Sequence, residues 1–163
     1  MLKQKYPMTK KLFTLITLIF TSIFNQIIAC DCPTQATVKD AIKNSDIVIT
    51  GKVISKEMIN TKDTTTNSMP FEITEVKYTI VVVHKHKGEF KNDTLTIITG
   101  TGGGDCGFGF EVGKKYIVYG SNDKNSSSHK PRKILKNTYW TNICTRTVLY
   151  NDKEFKEIKS ITG

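Results

Sequence analysis

Four cysteines, Cys30, Cys32, Cys106 and Cys144, are the residues of this 163-residue chain whose type and spacing bear most directly on chemistry. Thiols in an even number either oxidise in pairs or gather around a metal. Cys30 and Cys32 flank the single residue Asp31, too tight a span for an easy bridge given the Cα spacing a disulfide prefers. Each is expected to pair with a distant partner, Cys106 or Cys144, and spacing alone leaves both assignments open. His84 and His86 alternate along an extended segment and share one face, which supplies two metal ligands and no third. The expectation for both is a solvent-facing position beside Lys85 and Lys87, and His129, in a polar loop, carries no such pattern. Gly100 to Gly104 with Asp105 has the glycines of a phosphate loop, but no Gly-Lys-Ser/Thr follows, so a tight loop placing Cys106 is expected. No nucleophile, base and orienter group together, so the chain is not read as an enzyme, and no cofactor or metal of its own is expected.

The compartment decides between metal and disulfide. Lys3, Lys5, Lys10 and Lys11 form a positive stretch, Leu12 to Phe24 an apolar run, and Asn25 to Ala29 a polar-to-small exit, the pattern of a secretory signal peptide. Met8 is an alternative start that leaves the mature chain unchanged. The apolar run is 13 residues long and carries Thr14, Thr17, Thr21 and Ser22, too short and too polar to span a membrane. Residues 1–29 are therefore expected to be a signal peptide and 30–163 one mature domain without a transmembrane segment. Export favours disulfides over a metal site. Removing residues 1–29 takes away four lysines and no acids, which lowers the formal charge from +9 to +5 over 134 residues. That modest excess in Lys-rich loops suits a solvated surface and argues against nucleic acid as a partner. Ile27-Ile28-Ala29-Cys30 also fits, imperfectly, a bacterial lipoprotein box. Lipidation would alkylate the Cys30 sulfur and leave its distant partner, Cys106 or Cys144, an orphan thiol, so ordinary cleavage is preferred. The chain is expected to be secreted or periplasmic, or a cell-surface lipoprotein if Cys30 is acylated. Asn92-Asp93-Thr94 and Asn125-Ser126-Ser127 are glycosylation sequons only in a eukaryotic source.

The elements that must position the cysteines can be read from periodicity. Val38, Ala41 and Ile42 stand at i, i+3 and i+4, which predicts a helix of about three turns over 34–44. Residues 46–54 (DIVITGKVI) read as a mostly buried strand with a bend or bulge at Gly51. Residues 60–70 are polar and end in proline, which predicts a loop or hairpin tip. Residues 76–87, rich in β-branched side chains, carry the strongest strand signal. Residues 95–99, 115–120 and 134–144 supply three more extended segments. Phe155, Ile158 and Ile161, spaced three apart, predict a closing helix over 152–161. Tyr116, Tyr119, Tyr139 and Trp140 offer either a stacking platform or core, and core is the expectation for strand aromatics. The fold class expected is mainly β: a five-stranded, antiparallel barrel of the oligonucleotide/oligosaccharide-binding (OB) type with one short N-terminal and one C-terminal helix.

Four segments then carry a resemblance: Cys30-Asp31-Cys32 directly behind the cleavage site, NSDIVITGKVI at 44–54, DCGFGFEVGKKYIVYG at 105–120, and NICTRT at 142–147. In this order they resemble the N-terminal domain of the tissue inhibitors of metalloproteinases, within the netrin-like modules. The resemblance covers nearly the whole mature chain. It implies an OB-type barrel stapled by Cys30–Cys106 and Cys32–Cys144. It also implies a secreted inhibitor whose partner is a zinc metalloprotease, with the freed α-amine and carbonyl of Cys30 chelating that enzyme's catalytic zinc. Asp31, Cys32, Asp105 and Cys106 would contact the protease around it. The family has a further disulfide whose first member would fall at Lys43 here. It also has a small Thr or Ser after the first cysteine, where this chain has Asp31. Because that residue enters the specificity pocket, Asp31 implies a target with a cationic or wide, wet pocket. The alternative is a non-inhibitory extracellular or lipid-anchored binding module built on the same scaffold.

Overall fold

The computed structural model describes residues 30, 32, 34–63, 71–122 and 136–163. The expected signal peptide, Asp31, His129, the Asn125 sequon and most of the 60–70 loop lie outside them. Helix α1 spans Val38–Asn44 and is followed by strands β1, Ile47–Asp63, and β2, Phe71–Lys87. Then come β3, Thr94–Thr99, a 3-10 turn at Gly103–Asp105, and β4, Lys115–Gly120. The chain closes with β5, Thr138–Trp140, β6, Val148–Leu149, and helix α2, Asp152–Thr162. The protein is thus mainly β, with one six-stranded sheet ordered β5-β3-β2-β1-β4-β6 and a helix before and after it. None of the described helices is long and apolar enough to cross a membrane.

Two expectations about the sheet are corrected. Six strands form where five were expected, and the pairing is not wholly antiparallel, because β5 runs parallel to β3 from Thr96↔Thr138 to Ile98↔Trp140. The physical reason is the long connection after β4: it lets the chain return beside β3 in the same direction, which a tight hairpin cannot do. The segment 134–144 supplies only three strand residues, and Val148–Leu149, too short to leave a sequence signal, pairs with β4 at Tyr116 and Ile117. Just past β4, Ser121 exchanges two backbone hydrogen bonds with Trp140 of β5, 3.0 and 2.9 Å, so the two ends of the sheet curl toward each other.

That curl begins at Gly51. The β1–β2 register slips between Thr50 and Gly51 and again between Val53 and Ser55. A Cβ at Gly51 would lie 2.4 Å from Ile80 Cγ2 and 2.9 Å from the Val81 carbonyl oxygen, so only glycine lets β2 cross so closely. The curled sheet buries side chains on both faces. Ile47, Ile49, Val53, Tyr78, Ile80, Ile97, Phe110, Tyr116 and Val118 are among those filling the concave side. The alternate positions Val48, Ile117 and Tyr119 pack outward against Val38, Ala41 and Ile42 of α1 and Ile158 of α2. This two-sided burial explains why 46–54 reads as a continuous apolar run rather than an alternating one.

The helices are local products of capping. The Thr37 hydroxyl accepts from the Asp40 N–H at 3.2 Å and starts α1 four residues later than the periodicity suggests, making it about two turns long. Lys87 Nζ donates to the carbonyls of Ile42 and Lys43 at 2.7 and 3.1 Å and neutralises the helix C-terminus. Asn151 caps α2 through Glu154 N–H at 2.8 Å. The inward line of α2 is Glu154 and Ile158, four apart, with Phe155 partly buried against the same cluster; Ile161, expected inside, lies in the last turn and is 42% exposed.

Candidate functional site

The two residues of the CxC motif that the structure describes are tied to two different loops. Cys30 is bonded to Cys106, Cα–Cα 5.6 Å, and Cys32 to Cys144, Cα–Cα 5.2 Å, the two pairs implied by the resemblance. Those loops touch directly, since the Ile143 N–H donates to the Cys106 carbonyl oxygen at 3.0 Å. The chain is therefore pinned at Cys30 and at Cys32 to one continuous edge, built from 100–107 and 141–147.

The first loop is organised by a carboxylate. Asp105 accepts four hydrogen bonds: from the Thr101 N–H at 2.6 Å, the Thr101 hydroxyl at 2.8 Å, the Gly102 N–H at 2.8 Å and the Gly107 N–H at 3.0 Å. Desolvation pushes its carboxyl up, but these donors outweigh it and hold the pKa below the usual aspartate value. The glycines serve the same centre. A Cβ on Gly100 would lie 2.6 Å from the Asp105 carboxyl carbon, and one on Gly107 would lie 2.2 Å from the Gly100 carbonyl oxygen. Cys106 itself takes the left-handed conformation, φ 57°, and the Thr99 hydroxyl accepts from Phe108 N–H at 2.7 Å to close the loop. The stretch is thus a cradle for an internal aspartate that aims Cys106.

The second loop is organised by an amide and three hydroxyls. Asn142 Oδ1 accepts from the N–H groups of Cys144 and Thr145 at 2.9 and 3.0 Å, a local turn that presents the exposed Cys144. Thr141 Oγ1 lies 2.7 Å from each of Thr145 Oγ1 and Thr147 Oγ1, and Thr147 Oγ1 accepts from the Tyr119 N–H at 3.1 Å. The next anchor is buried and ionic. Arg146 grips both carboxylate oxygens of Glu154 at 2.6 and 2.7 Å and donates to the Ala36 carbonyl at 2.8 Å, while Tyr119 Oη donates to Glu154 at 2.7 Å. Burial first, then Glu154, raises the Tyr119 pKa, so its hydroxyl stays a donor. Between the two cysteine-bearing loops Ile143 stands 46% exposed, an apolar side chain at the edge.

The remaining candidates fall elsewhere. Tyr116, Tyr119 and Tyr139 are 4%, 1% and 7% exposed and belong to the core, with Trp140 partly buried beside them, so they form no open stacking platform. His84 and His86 do share a face, ring centroids 6.3 Å apart, but the solvent-facing expectation holds only for His84. His86 is half-buried, 2.9 Å from the Thr50 hydroxyl and 5.4 Å from the Phe155 ring, because α2 folds across that face. Among the described residues no three potential ligands gather as a metal site. Sequence reasoning missed Thr99, Thr101, Asn142, Ile143 and the Arg146–Glu154 pair. Only Asn142, a turn former beside a cysteine, left a readable signal.

Compared with models of protein families, residues 28–130 match the one described as Tissue inhibitor of metalloproteinase. No curated protein matches the chain.

Proposed function

The chain belongs to the tissue inhibitor of metalloproteinase family, and we propose that it is an exported inhibitor that binds a protease's catalytic zinc through the α-amine and carbonyl oxygen of Cys30. The observation that carries this reading is the double tether of Cys30 and Cys32 to two loops that are hydrogen-bonded to each other. Such an anchor removes most of the chain entropy that a flexible N-terminus would lose on binding. A catalytic zinc keeps an open coordination position, and a neutral amine with an adjacent carbonyl can fill it in place of the attacking water. The amine exists only after removal of residues 1–29, so export and processing are part of the mechanism. With an α-amine pKa near 8, the neutral fraction grows as pH rises from 6 to 8, and inhibition strengthens with it.

The surroundings define the target. Asp31 would enter the protease's specificity pocket, where an unpaired carboxylate in an apolar lining costs several kcal/mol. The matching enzyme has a cationic or wide, wet pocket. Cys32, Cys106 and the backbone at Asp105 flank the contact, with the Asp105 carboxylate already occupied by its own loop, and Ile143 adds apolar area. The curl closed at Ser121–Trp140 supports reading the sheet as a five-stranded OB-type barrel with β6 as an addition.

A second reading has one observation in its favour: Ile27-Ile28-Ala29-Cys30 suits lipoprotein processing, which would make the chain an anchored, non-inhibitory binding module. The bond from the Cys30 sulfur to Cys106 weighs against it, because a thioether would need that sulfur. The experiment is titration of the processed protein, starting at Cys30, against a panel of zinc proteases. Nanomolar to micromolar inhibition, lost when one alanine precedes Cys30, is the expected result; no inhibition of any member at micromolar concentration overturns the proposal.

A further inference from the structure

Alternation along β2 puts His84 and His86 on one face of the sheet, the face that α2 crosses. Their ring centroids lie 6.3 Å apart, and the Phe155 ring of α2 stands 5.2 Å from the first and 5.4 Å from the second, an apolar wall beside both. Two imidazoles on one tetrahedral ion, each with a metal–nitrogen bond of about 2.1 Å, hold their centroids about 5 Å apart. The pair is therefore within about 1 Å of sharing an ion. His84 is exposed and free to close that difference by rotating its side chain.

The half-buried member of the pair is already oriented. Thr50 is fully buried, and its Oγ1 lies 2.9 Å from His86 Nε2. With the imidazole donating to this hydroxyl, the proton sits on Nε2 and the lone pair on Nδ1. A ligating histidine is ordinarily fixed in this way, by a hydrogen bond from the ring nitrogen that does not bind the metal. Thiols offer no competing site, because all four cysteines are in disulfides. One charge opposes a cation: Lys159 Nζ, on the same helix, 5.5 Å from the Phe155 ring centroid. We propose that His84 and His86 chelate a borderline divalent transition ion of the zinc type, with water completing its coordination. Imidazole pairs suit such ions, whereas magnesium and calcium call for oxygen ligands. The site uses no residue of the Cys30 edge, so it stands or falls apart from the inhibitor reading.

The test is calorimetric and NMR titration of the mature, disulfide-bonded chain with zinc chloride, with magnesium chloride as the hard-cation control. Zinc should bind with micromolar affinity and shift the ring protons of His84 and His86 and the amides around them in β2 and α2, while magnesium should not bind. His84→Gln, at an exposed position, should weaken zinc binding about tenfold or more, and Thr50→Val, which removes only the orienting hydroxyl, about tenfold. Lys159→Ala, which removes the opposing charge, should tighten it several-fold. His129→Gln should match the parent. Zinc should also raise the urea midpoint of the parent and leave that of His84→Gln unchanged, because the ion binds only the folded pair. Equal affinity in His84→Gln and the parent, shifts centred on the 100–107 loop beside the Cys30 amine, or no binding at millimolar zinc would each overturn the proposal.

Discussion

Gly107 is separated from Gly100 by the width of a backbone contact, and that closeness makes the Asp105 cradle possible. Gly107→Ala puts a methyl group 2.2 Å from the Gly100 carbonyl oxygen, with backbone rather than a movable side chain in the way. The expected cost is about 1–3 kcal/mol, read as a lower urea midpoint with unchanged slope. Asp105→Asn tests the charge. Because the folded pKa of Asp105 is depressed, its ionised form contributes stability above the ordinary aspartate pKa and loses it as pH falls through the folded value. The parent should therefore be more stable than Asp105→Asn at pH 7, and the two should converge as pH falls through the depressed folded value. The cradle was half legible: glycines and an aspartate announce a tight loop, but which N–H groups the carboxylate collects depends on atoms brought within 3 Å.

Helix α2 is held by more than its apolar side. Arg146, in the loop before β6, donates to Glu154 of α2 and to the Ala36 carbonyl before α1, and Glu154 in turn accepts from Tyr119 of β4, so one ion pair links four segments. Removing it leaves a carboxylate buried to 9% side-chain exposure without its counter-charge. Arg146→Met should cost about 3–5 kcal/mol, and Arg146→Met with Glu154→Leu should recover most of that, because the penalty belongs to the unpaired charge. Thermal unfolding followed by circular dichroism measures both. The same helix covers His86, whose pKa is lowered by burial and by the nearby charges of His84 and Lys159. A depressed histidine pKa means that the unfolded chain binds more protons, so stability present at pH 7 and above declines as pH falls through 6.5 toward the folded value. The urea midpoint should drop between pH 7.5 and 5.5, and His86→Gln should flatten that drop. Amphipathic spacing announced α2 and its inward Ile158, but not the buried Glu154, whose partners Arg146 and Tyr119 come from distant segments.

The two disulfides close loops of 76 and 112 residues across the whole domain. In the chain-entropy account, a loop of the first size contributes about 4 kcal/mol by restricting the unfolded chain. Cys30→Ser/Cys106→Ser should lower stability by up to that amount and weaken any protease inhibition far more, because it frees the N-terminus as well. The variant compared under reducing and oxidising conditions separates the two staples. The curl at Gly51 and the bridge at Ser121–Trp140 bring both loops to one edge, and without them the cysteines could not meet.

Local information determined what is local: the apolar periods of α1, β2, β4 and α2, the bend at Gly51, the tight loop before Cys106, and the even cysteine count that signals disulfides. The family resemblance rested on the same short segments, and with it came the pairing of the cysteines. Tertiary structure alone decided the parallel return of β5, the sixth strand, the Arg146–Glu154 pair and the burial of His86. Each of these joins residues far apart in the chain whose meeting depends on the strand register and curl of the sheet. Periodicity reports which face a residue prefers; only the closed sheet decides which distant side chain waits there.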